Sequence, residues 1–131
     1  MTEKRILIVD EDSLSLQEIA SLLGKNGFDI ITATDGLTGL KRARSEEPDA
    51  VLLDAMLPVV NGYQVCRLYK FDDRFRSVPL VLMSVKGTEE DKALSGEIGA
   101  DYYLTKPVDP DELMRIINKI FKKEDEEEST E

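Results

Sequence analysis

The 131-residue sequence has no histidine and only one cysteine. Without histidine, the chain cannot form a Ser-His-Asp nucleophile, a histidine metal site or a phosphohistidine of its own. With Cys66 alone, it cannot form an internal disulfide or a multi-cysteine zinc site. No apolar run reaches the roughly 18 residues of a membrane span, and the amino-terminal residues lack a signal-peptide pattern. We therefore expect a cytoplasmic protein that does not bind membranes.

Basic residues are also few, since 17 lysines and arginines stand against 27 aspartates and glutamates, which gives a formal net charge of -10. Six acids and no base lie in residues 124–131, so this segment carries more than half of the charge. We expect a globular domain at 1–123 and an acidic disordered tail at 124–131, with a basic partner for the tail as the alternative. A chain without a basic stripe is not expected to bind nucleic acid.

Five short apolar runs alternate with segments of helical period. Four of these runs are nearly continuous in apolar residues, which is typical of strands covered on both faces of a parallel sheet. The alternation, with short connections, predicts one open, doubly wound α/β domain. We predict strands at 5–9, 28–33, 50–54, 79–84 and 101–105, and helices at 13–25, 36–46, 62–71, about 88–98 and about 110–122.

Local signals indicate where several helices begin. Thr88 and Asp91 have the spacing of a capping box. Residues 109–112 combine an acid at the N-cap, proline at the first helical position and a glutamate in the capping-box position. Asn61-Gly62 is a turn signal at the start of the third helix. These signals support the predicted order of elements.

Polar residues end four of the five apolar runs. In doubly wound sheets, ligands bind beyond the carboxyl ends of the strands, so these residues are candidates for a site. They are Asp10–Asp12, Asp54, Ser84 and Thr105-Lys106. Carboxylates about 4 Å apart repel by ~4 kcal/mol per pair at an effective dielectric constant of 20, so the cluster favours protonation or a bound cation. Oxygen donors favour Mg2+, which commonly completes its shell with phosphate oxygens.

Each candidate also has a structural interpretation. Asp54 and Ser84 can be ordinary polar strand ends, and Lys106 can be a surface lysine. Asp12 or Ser13 is expected to cap the first helix.

Four segments together resemble the receiver domain of two-component response regulators, over residues 4–122. They are ILIVDED, VLLDAMLPVVNG, PLVLMS and GADYYLTKPVDPDEL, in that order and at the expected spacing. The resemblance implies a flavodoxin-like five-stranded parallel sheet of order 2-1-3-4-5, flanked by five helices. It also implies a phosphoprotein that is not an enzyme in the ordinary sense, because it catalyses only its own phosphorylation and dephosphorylation.

The same resemblance assigns roles at the sheet edge. Asp54 would accept the phosphoryl group as 4-aspartylphosphate, and Ser84 and Lys106 would bind the phosphoryl oxygens. Ser84 and Tyr103 would form the switch, although Tyr103 can also be a packed strand residue. The Mg2+ ligands would be Asp10, Glu11, Asp54 and the backbone carbonyl of Met56.

The resemblance further implies the partners. A histidine kinase or phosphotransfer protein would supply the phosphoryl group. The fourth helix, fifth strand and fifth helix would bind a separate effector protein, as in chemotaxis-type single-domain regulators. We expect a monomer or a weak dimer.

Three residues depart from the family pattern. Glu11 replaces the usual aspartate, so its extra methylene should shift the metal or insert a water. Val85 replaces the usual alanine or glycine after the hydroxyl residue, and should narrow access to Asp54 and slow both phosphotransfer and hydrolysis. Asn61 replaces the commoner aspartate, a change that a turn tolerates.

Two alternatives belong to other classes of protein. A degenerate receiver would bind proteins without being phosphorylated, and the changes at Glu11 and Val85 favour it. A haloacid-dehalogenase-like phosphatase would use Asp10 as nucleophile, since Asp10-Glu11-Asp12 fits an aspartate-any-aspartate motif. Against the phosphatase stand the short chain and the lack of a cap domain.

Overall fold

In the computed structural model, residues 3–58 and 60–129 are described, the last seven of them by their backbone alone. Strands and helices alternate along this part of the chain. The strands are β1 (Arg5–Val9), β2 (Asp29–Ala33), β3 (Ala50–Asp54), β4 (Leu80–Ser84) and β5 (Tyr102–Thr105). The helices are α1 (Ser13–Lys25), α2 (Gly36–Glu46), α3 (Gly62–Phe71), α4 (Glu89–Glu97) and α5 (Pro110–Ser129).

The strands form one parallel sheet of order β2-β1-β3-β4-β5. This order and the five helices confirm the predicted flavodoxin-like fold. Each predicted strand agrees with the structure to within one residue. The agreement follows from burial, because all five residues of β3 and of β4 are buried and such strands stand out as apolar runs.

Successive side chains of the central strands point to opposite faces of the sheet. On one face, Leu7, Val51 and Leu82 belong to a core that includes α2 and α3. On the other face, Ile8 and Leu52 pack with side chains of α1 and α5. Both faces of the sheet are therefore covered, which leaves its carboxyl edge as the place where strand-end side chains meet.

Two helix starts follow the sequence prediction. Asp12 caps α1, since its side chain accepts a hydrogen bond from the backbone N–H of Leu14 at 3.1 Å. Helix α5 begins at Pro110, and the carboxylate of Asp109 accepts from the N–H of Asp111 at 3.1 Å. A capping box at α3, which links Asn61 and Gln64 in both directions, was not predicted.

The proposed capping box of α4 is only half present. The hydroxyl of Thr88 accepts a hydrogen bond from the backbone N–H of Asp91 at 3.1 Å, as the prediction requires. The carboxylate of Asp91 is used elsewhere, because its two oxygens accept hydrogen bonds from the hydroxyls of Tyr63 and Tyr103. The sequence signal located the start of the helix correctly and misassigned the acid.

Helix α5 continues to Ser129, beyond the predicted end at about 122. Its last buried apolar residue is Phe121, so the apolar pattern stops before the helical backbone does. Residues 130–131 of the acidic tail lie outside the described residues, and the disorder expected for 124–131 stays a prediction. Among the described residues, no helix is both long enough and apolar enough to cross a membrane.

Candidate functional site

The strand register brings the polar strand ends to one edge of the sheet. Val9 pairs with Leu53, so Asp10 and Asp54, the next residues on each strand, are neighbours. Ser84 pairs with Thr105 on β5, and the backbone N–H of Lys106 donates to the carbonyl of Ser84 at 2.8 Å. The sheet therefore collects the four residues expected to carry the chemistry.

Lys106 contacts two carboxylates at once. Its Nζ atom lies 3.0 Å from Oδ2 of Asp10 and 3.1 Å from Oδ2 of Asp54. Asp10 is fully buried and Asp54 is 4% exposed, while the Lys106 side chain is 11% exposed. The structural interpretation of Lys106 as a surface lysine is therefore wrong. In the described part of the chain, this is a group of one cation between two buried acids.

Backbone groups fix the second oxygen of each carboxylate. Oδ1 of Asp10 accepts from the N–H of Asp12 at 2.9 Å, and Oδ1 of Asp54 accepts from the N–H of Met56 at 2.9 Å. Each carboxylate thus turns one oxygen towards its own loop and the other towards Lys106. This arrangement presents the Oδ2 atoms to any ligand that approaches Lys106.

Burial and neighbouring charges shift the protonation equilibria of the site. Burial raises the pKa of Asp54, and Asp10 raises it further, against the lowering effects of the Met56 N–H and the Lys106 charge. Burial by itself lowers the pKa of Lys106, but the hydrogen bond to Asp10 and the charges of both acids outweigh it and leave the pKa raised. Lys106 is therefore a firmly charged ammonium next to a carboxylate that is costly to ionise.

The donor set suits a hard cation. With both acids ionised, Asp10, Asp54 and Lys106 sum to one negative charge, and the available donors are oxygens, which Mg2+ prefers. Glu11 is exposed, and the described residues contain no group of three acidic, histidine or cysteine side chains close enough to hold a metal. The roles of Glu11 and of the Met56 carbonyl stay predictions.

Gly62 lets α3 begin directly against the backbone at the end of β3. A Cβ at this position would lie 2.1 Å from the carbonyl oxygen of Asp54 and 2.6 Å from the Cα of Ala55. The Gly62 N–H donates to the carbonyl of Ala55 at 3.1 Å. This glycine therefore serves a close approach of backbones beneath Asp54, in addition to the turn that the sequence indicated.

Ser84 and Tyr103 lie at the side of the site near α4. Ser84 is buried, and its Oγ accepts a hydrogen bond from the N–H of Lys86 at 3.2 Å. The Tyr103 hydroxyl accepts from the N–H of Gly87 at 3.2 Å and donates to Asp91. Tyr103 is thus half-buried and fully hydrogen-bonded, which agrees with neither a free surface tyrosine nor an apolar core residue.

Two features of the site were not predicted from the sequence: the involvement of Tyr63 and the hydrogen bonds of the Asp91 carboxylate. Tyr63 follows Gly62 on α3 and donates its hydroxyl to Asp91 across the connection to α4. The only available signal was an aromatic residue beside the glycine turn, and it does not indicate a partner 28 positions away.

A groove of about 400 Å3 opens beside Lys106, between α1 and the segment after β5. Its lining includes Leu14, Val85, Pro107 and Val108. Leu14 and Val85 are 64% and 62% exposed, so this groove carries apolar side chains that the domain itself does not cover. Val85 therefore lines a groove beside Lys106, and its expected effect on access to Asp54 stays a prediction.

The topology and the strand-end site define a flavodoxin-like α/β domain with an acid–lysine site at its carboxyl edge. The family model of the response regulator receiver domain matches residues 6–118. The chain belongs to the response regulator receiver domain family. This membership confirms the resemblance and places the chain in a class of signalling modules, so it decides against the phosphatase alternative.

Three known proteins illustrate the similarity. Protein PilH of Pseudomonas aeruginosa is 37% identical over 117 residues, which cover 89% of this chain and 97% of PilH. The Bacillus subtilis alkaline phosphatase synthesis transcriptional regulatory protein PhoP is 37% identical over 120 residues, but the chain spans only 49% of its length. Relatives thus include proteins of about this length and proteins twice as long.

The third is a solved structure, the receiver domain of a sensor histidine kinase from Pseudomonas aeruginosa, with a magnesium ion coordinated in its active site cleft. It is 27% identical, with a TM-score of 0.82, and the match covers 90% of this chain and 97% of that domain.

Proposed function

We propose that the chain is a response regulator module in which Asp54 accepts a phosphoryl group from a histidine kinase or a phosphotransfer protein. The observation that carries the proposal is the pair of buried carboxylates that share the Lys106 ammonium at the sheet edge. Asp54 is the better acceptor because Asp10 is fully buried, whereas Asp54 retains 4% exposure. The cytoplasm, where we expected the protein from its sequence, is the location proposed with it.

The proposed step is an in-line displacement at phosphorus. An oxygen of the Asp54 carboxylate forms the new O–P bond while the N–P bond of a phosphohistidine breaks, and the nitrogen keeps the electron pair. Lys106 then pairs with the phosphoryl oxygens, and the Ser84 hydroxyl donates to one of them. Water attack on the same phosphorus restores the Asp54 carboxylate, so the chain catalyses only its own phosphorylation and dephosphorylation.

A divalent cation is part of the proposal for an electrostatic reason. A phosphoryl group adds negative charge to a site whose two acids and one lysine already sum to one negative charge. Asp10, Asp54, Glu11 and the Met56 carbonyl would hold Mg2+, which neutralises phosphoryl oxygens when it is bound. The magnesium ion in the related kinase receiver domain supports this choice of cation.

The groove beside Lys106 supports docking of the phosphodonor at this edge. Leu14 and Val85 are exposed apolar side chains that line this groove beside Lys106. A donor protein that covers them would bring its phosphorylated side chain to the site and exclude water from it. The output face that we propose, α4, β5 and α5, would bind a separate effector.

A phosphorylation-independent binding module is the second candidate. The exposed position of Glu11, apart from the two buried acids, favours it because a metal ligand is then not preassembled. The two candidates differ in a single observable, which is whether Asp54 becomes phosphorylated.

Intact-mass measurement tests the proposal. Wild type, Asp54→Ala and Asp10→Ala are each incubated with Mg2+ and a small acyl phosphate. We expect one phosphoryl adduct on wild type, none on Asp54→Ala, and a slower reaction for Asp10→Ala. An adduct that survives Asp54→Ala would refute the assignment of the acceptor, and no adduct with any donor would favour the binding module.

A further inference from the structure

Helix α4 is attached to the domain without buried apolar side chains. Of its residues, only Asp91 and Ser95 are buried, whereas α1 buries Leu16, Ile19 and Leu23. Leu94, the large apolar residue of α4, is 45% exposed. Hydrophobic burial, which holds the other helices to the sheet, therefore contributes little along α4.

Hydrogen bonds to Asp91 attach α4 to the rest of the domain. Its two carboxylate oxygens accept hydrogen bonds from the hydroxyls of Tyr63 on α3 and Tyr103 on β5. One side chain that is 6% exposed thus joins three elements of the fold. We call Tyr63, Asp91 and Tyr103 the clasp.

The protonation states of the clasp suit these hydrogen bonds at neutral pH. Burial raises the pKa of Asp91, but the hydrogen bonds from Tyr103 and Tyr63 outweigh it and leave the pKa below its ordinary value. Burial and Asp91 together raise the pKa of Tyr63 to about 12 and also raise the pKa of Tyr103. An ionised acceptor therefore faces two protonated donors, the stronger kind of hydrogen bond.

The clasp adjoins the loop that follows Ser84. The N–H of Gly87 donates to the Tyr103 hydroxyl at 3.2 Å, and the N–H of Lys86 donates to Ser84 Oγ at 3.2 Å. The short loop from Ser84 to Gly87 therefore links Ser84 to the Tyr103 hydroxyl.

We propose that Asp91 is a positioning residue that holds Tyr103 and α4 in the resting arrangement, and that phosphorylation of Asp54 weakens this hold through Ser84. The second half rests on the proposed function. A phosphoryl group at Asp54 would recruit the Ser84 hydroxyl and displace the loop from Ser84 to Gly87, whose N–H groups donate to Ser84 and to Tyr103. Helix α4 has the least apolar contact to resist the change.

Hydrogen exchange of the α4 backbone amides tests the resting half. Asp91→Asn keeps the size of the side chain and removes its charge, and we expect the α4 amides to exchange at least about tenfold faster. Tyr63→Phe, which removes one donor, should act in the same direction. The matched control is Ser95→Ala, since Ser95 is the other buried polar residue of α4 and its hydroxyl bonds only to the Lys92 carbonyl within the helix.

A double-mutant cycle separates positioning from general loosening. If Asp91 acts through Tyr103, then Tyr103→Phe should add almost nothing to the exchange rate of Asp91→Asn. Additive effects, or α4 exchange in Asp91→Asn within twofold of wild type, would overturn the proposal. Equal acceleration by Ser95→Ala would do the same.

The release half is measured on the phosphoprotein. Phosphorylation should accelerate α4 exchange in wild type and change it little in Asp91→Asn, with the phosphoryl adduct on both proteins verified by mass. An equal acceleration in both proteins would overturn the release step. Absence of any adduct on wild type would refute the proposed function and the release step with it, while the resting comparison would still decide whether Asp91 anchors α4.

Discussion

Replacement of Lys106 by methionine removes the cation between two buried acids. The variant side chain has a similar length and is apolar, so it leaves Asp10 and Asp54 side by side without a counter-charge. In the wild type, the Lys106 Nζ lies 3.0 Å and 3.1 Å from the two carboxylates. Lys106→Met therefore changes the charge of the site much more than its packing.

The size of the effect follows from these distances. At an effective dielectric constant of about 20, unit charges 3 Å apart attract by roughly 5.5 kcal/mol, or roughly 11 kcal/mol for both contacts before desolvation. Desolvation of the three groups cancels most of that attraction, and loss of one partner of a buried pair typically costs about 3–5 kcal/mol. We expect Lys106→Met to lower the free energy of unfolding by about 3–5 kcal/mol at pH 7, out of the roughly 5–15 kcal/mol of a small domain.

The loss should depend on pH with a definite sign. The pKa of Lys106 is raised in the folded state, so its own contribution is complete below its ordinary pKa and stays constant between pH 5 and 8. The pKa of Asp54 is also raised, so the fold loses stability as pH rises above the ordinary value of 3.8 and Asp54 ionises. Without the lysine, this loss grows, and the gap between wild type and variant should widen from pH 5 to pH 8.

Urea unfolding at several pH values between 5 and 8, in EDTA and in Mg2+, measures the effect. Mg2+ should recover part of the stability of the variant, because it binds the folded state and replaces the missing positive charge. Lys119→Met, at an exposed lysine of α5, is the control and should change stability by less than about 0.5 kcal/mol. A loss below about 1 kcal/mol, or a gap that does not change with pH, would refute the electrostatic account of the site.

Three further predictions concern backbone approach, ionisation and thiol reactivity. Gly62→Ala should cost about 3 kcal/mol in urea unfolding, because its Cβ would lie 2.1 Å from the Asp54 carbonyl oxygen. Gly96→Ala, where nothing lies within 4 Å, should stabilise α4 slightly, and equal costs for the two would contradict this account. Asp54→Asn should stabilise the fold more at pH 7.5 than at pH 4.5, because burial makes the ionised Asp54 carboxylate costly and the amide cannot ionise. We expect the difference between the two pH values to be about 1 kcal/mol in the free energy of unfolding, seen as a larger rise of the thermal midpoint at pH 7.5. A change in midpoint that is the same at both pH values would contradict this interpretation of Asp54. Burial raises the pKa of Cys66 to about 11, so iodoacetamide at pH 8 should modify the native protein roughly 100-fold more slowly than the urea-unfolded chain, and equal rates by mass spectrometry would be the contrary result.

The fold could be predicted well from the sequence because strands that are buried on both faces consist of continuous apolar residues. A strand such as β3, covered on both faces, is an uninterrupted apolar run that ends in Asp54. The strand-end residues Asp10 and Lys106 could be placed together because parallel strands present their carboxyl ends to one edge. Local pattern and topology were sufficient for this part of the site.

The clasp could not be predicted, because it depends on how α4 lies against its neighbours. Asp91 has a local explanation as a capping-box acid, and a local pattern cannot show that its carboxylate turns to tyrosines 28 and 12 positions away. The burial of Lys106 likewise depends on the packing around it. Such contacts are fixed by tertiary structure, which a short motif does not encode.

The buried acids of the site and of the clasp have different partners: a charged lysine in the site and neutral hydroxyls in the clasp. At the site, Asp10 and Asp54 share the single positive charge of Lys106, so a phosphoryl group there would add negative charge and need a further counter-charge. In the clasp, Asp91 is balanced by neutral hydroxyls, so its contacts can be rearranged without moving a counter-ion. Ser84, which carries no charge, accepts a backbone hydrogen bond from Lys106 of the site and is linked to Tyr103 of the clasp through the loop that ends at Gly87. If phosphorylation of Asp54 acts through Ser84 as we propose, a change in charge at the site would become a change in hydrogen bonding at α4, the helix that buried apolar contacts hold least.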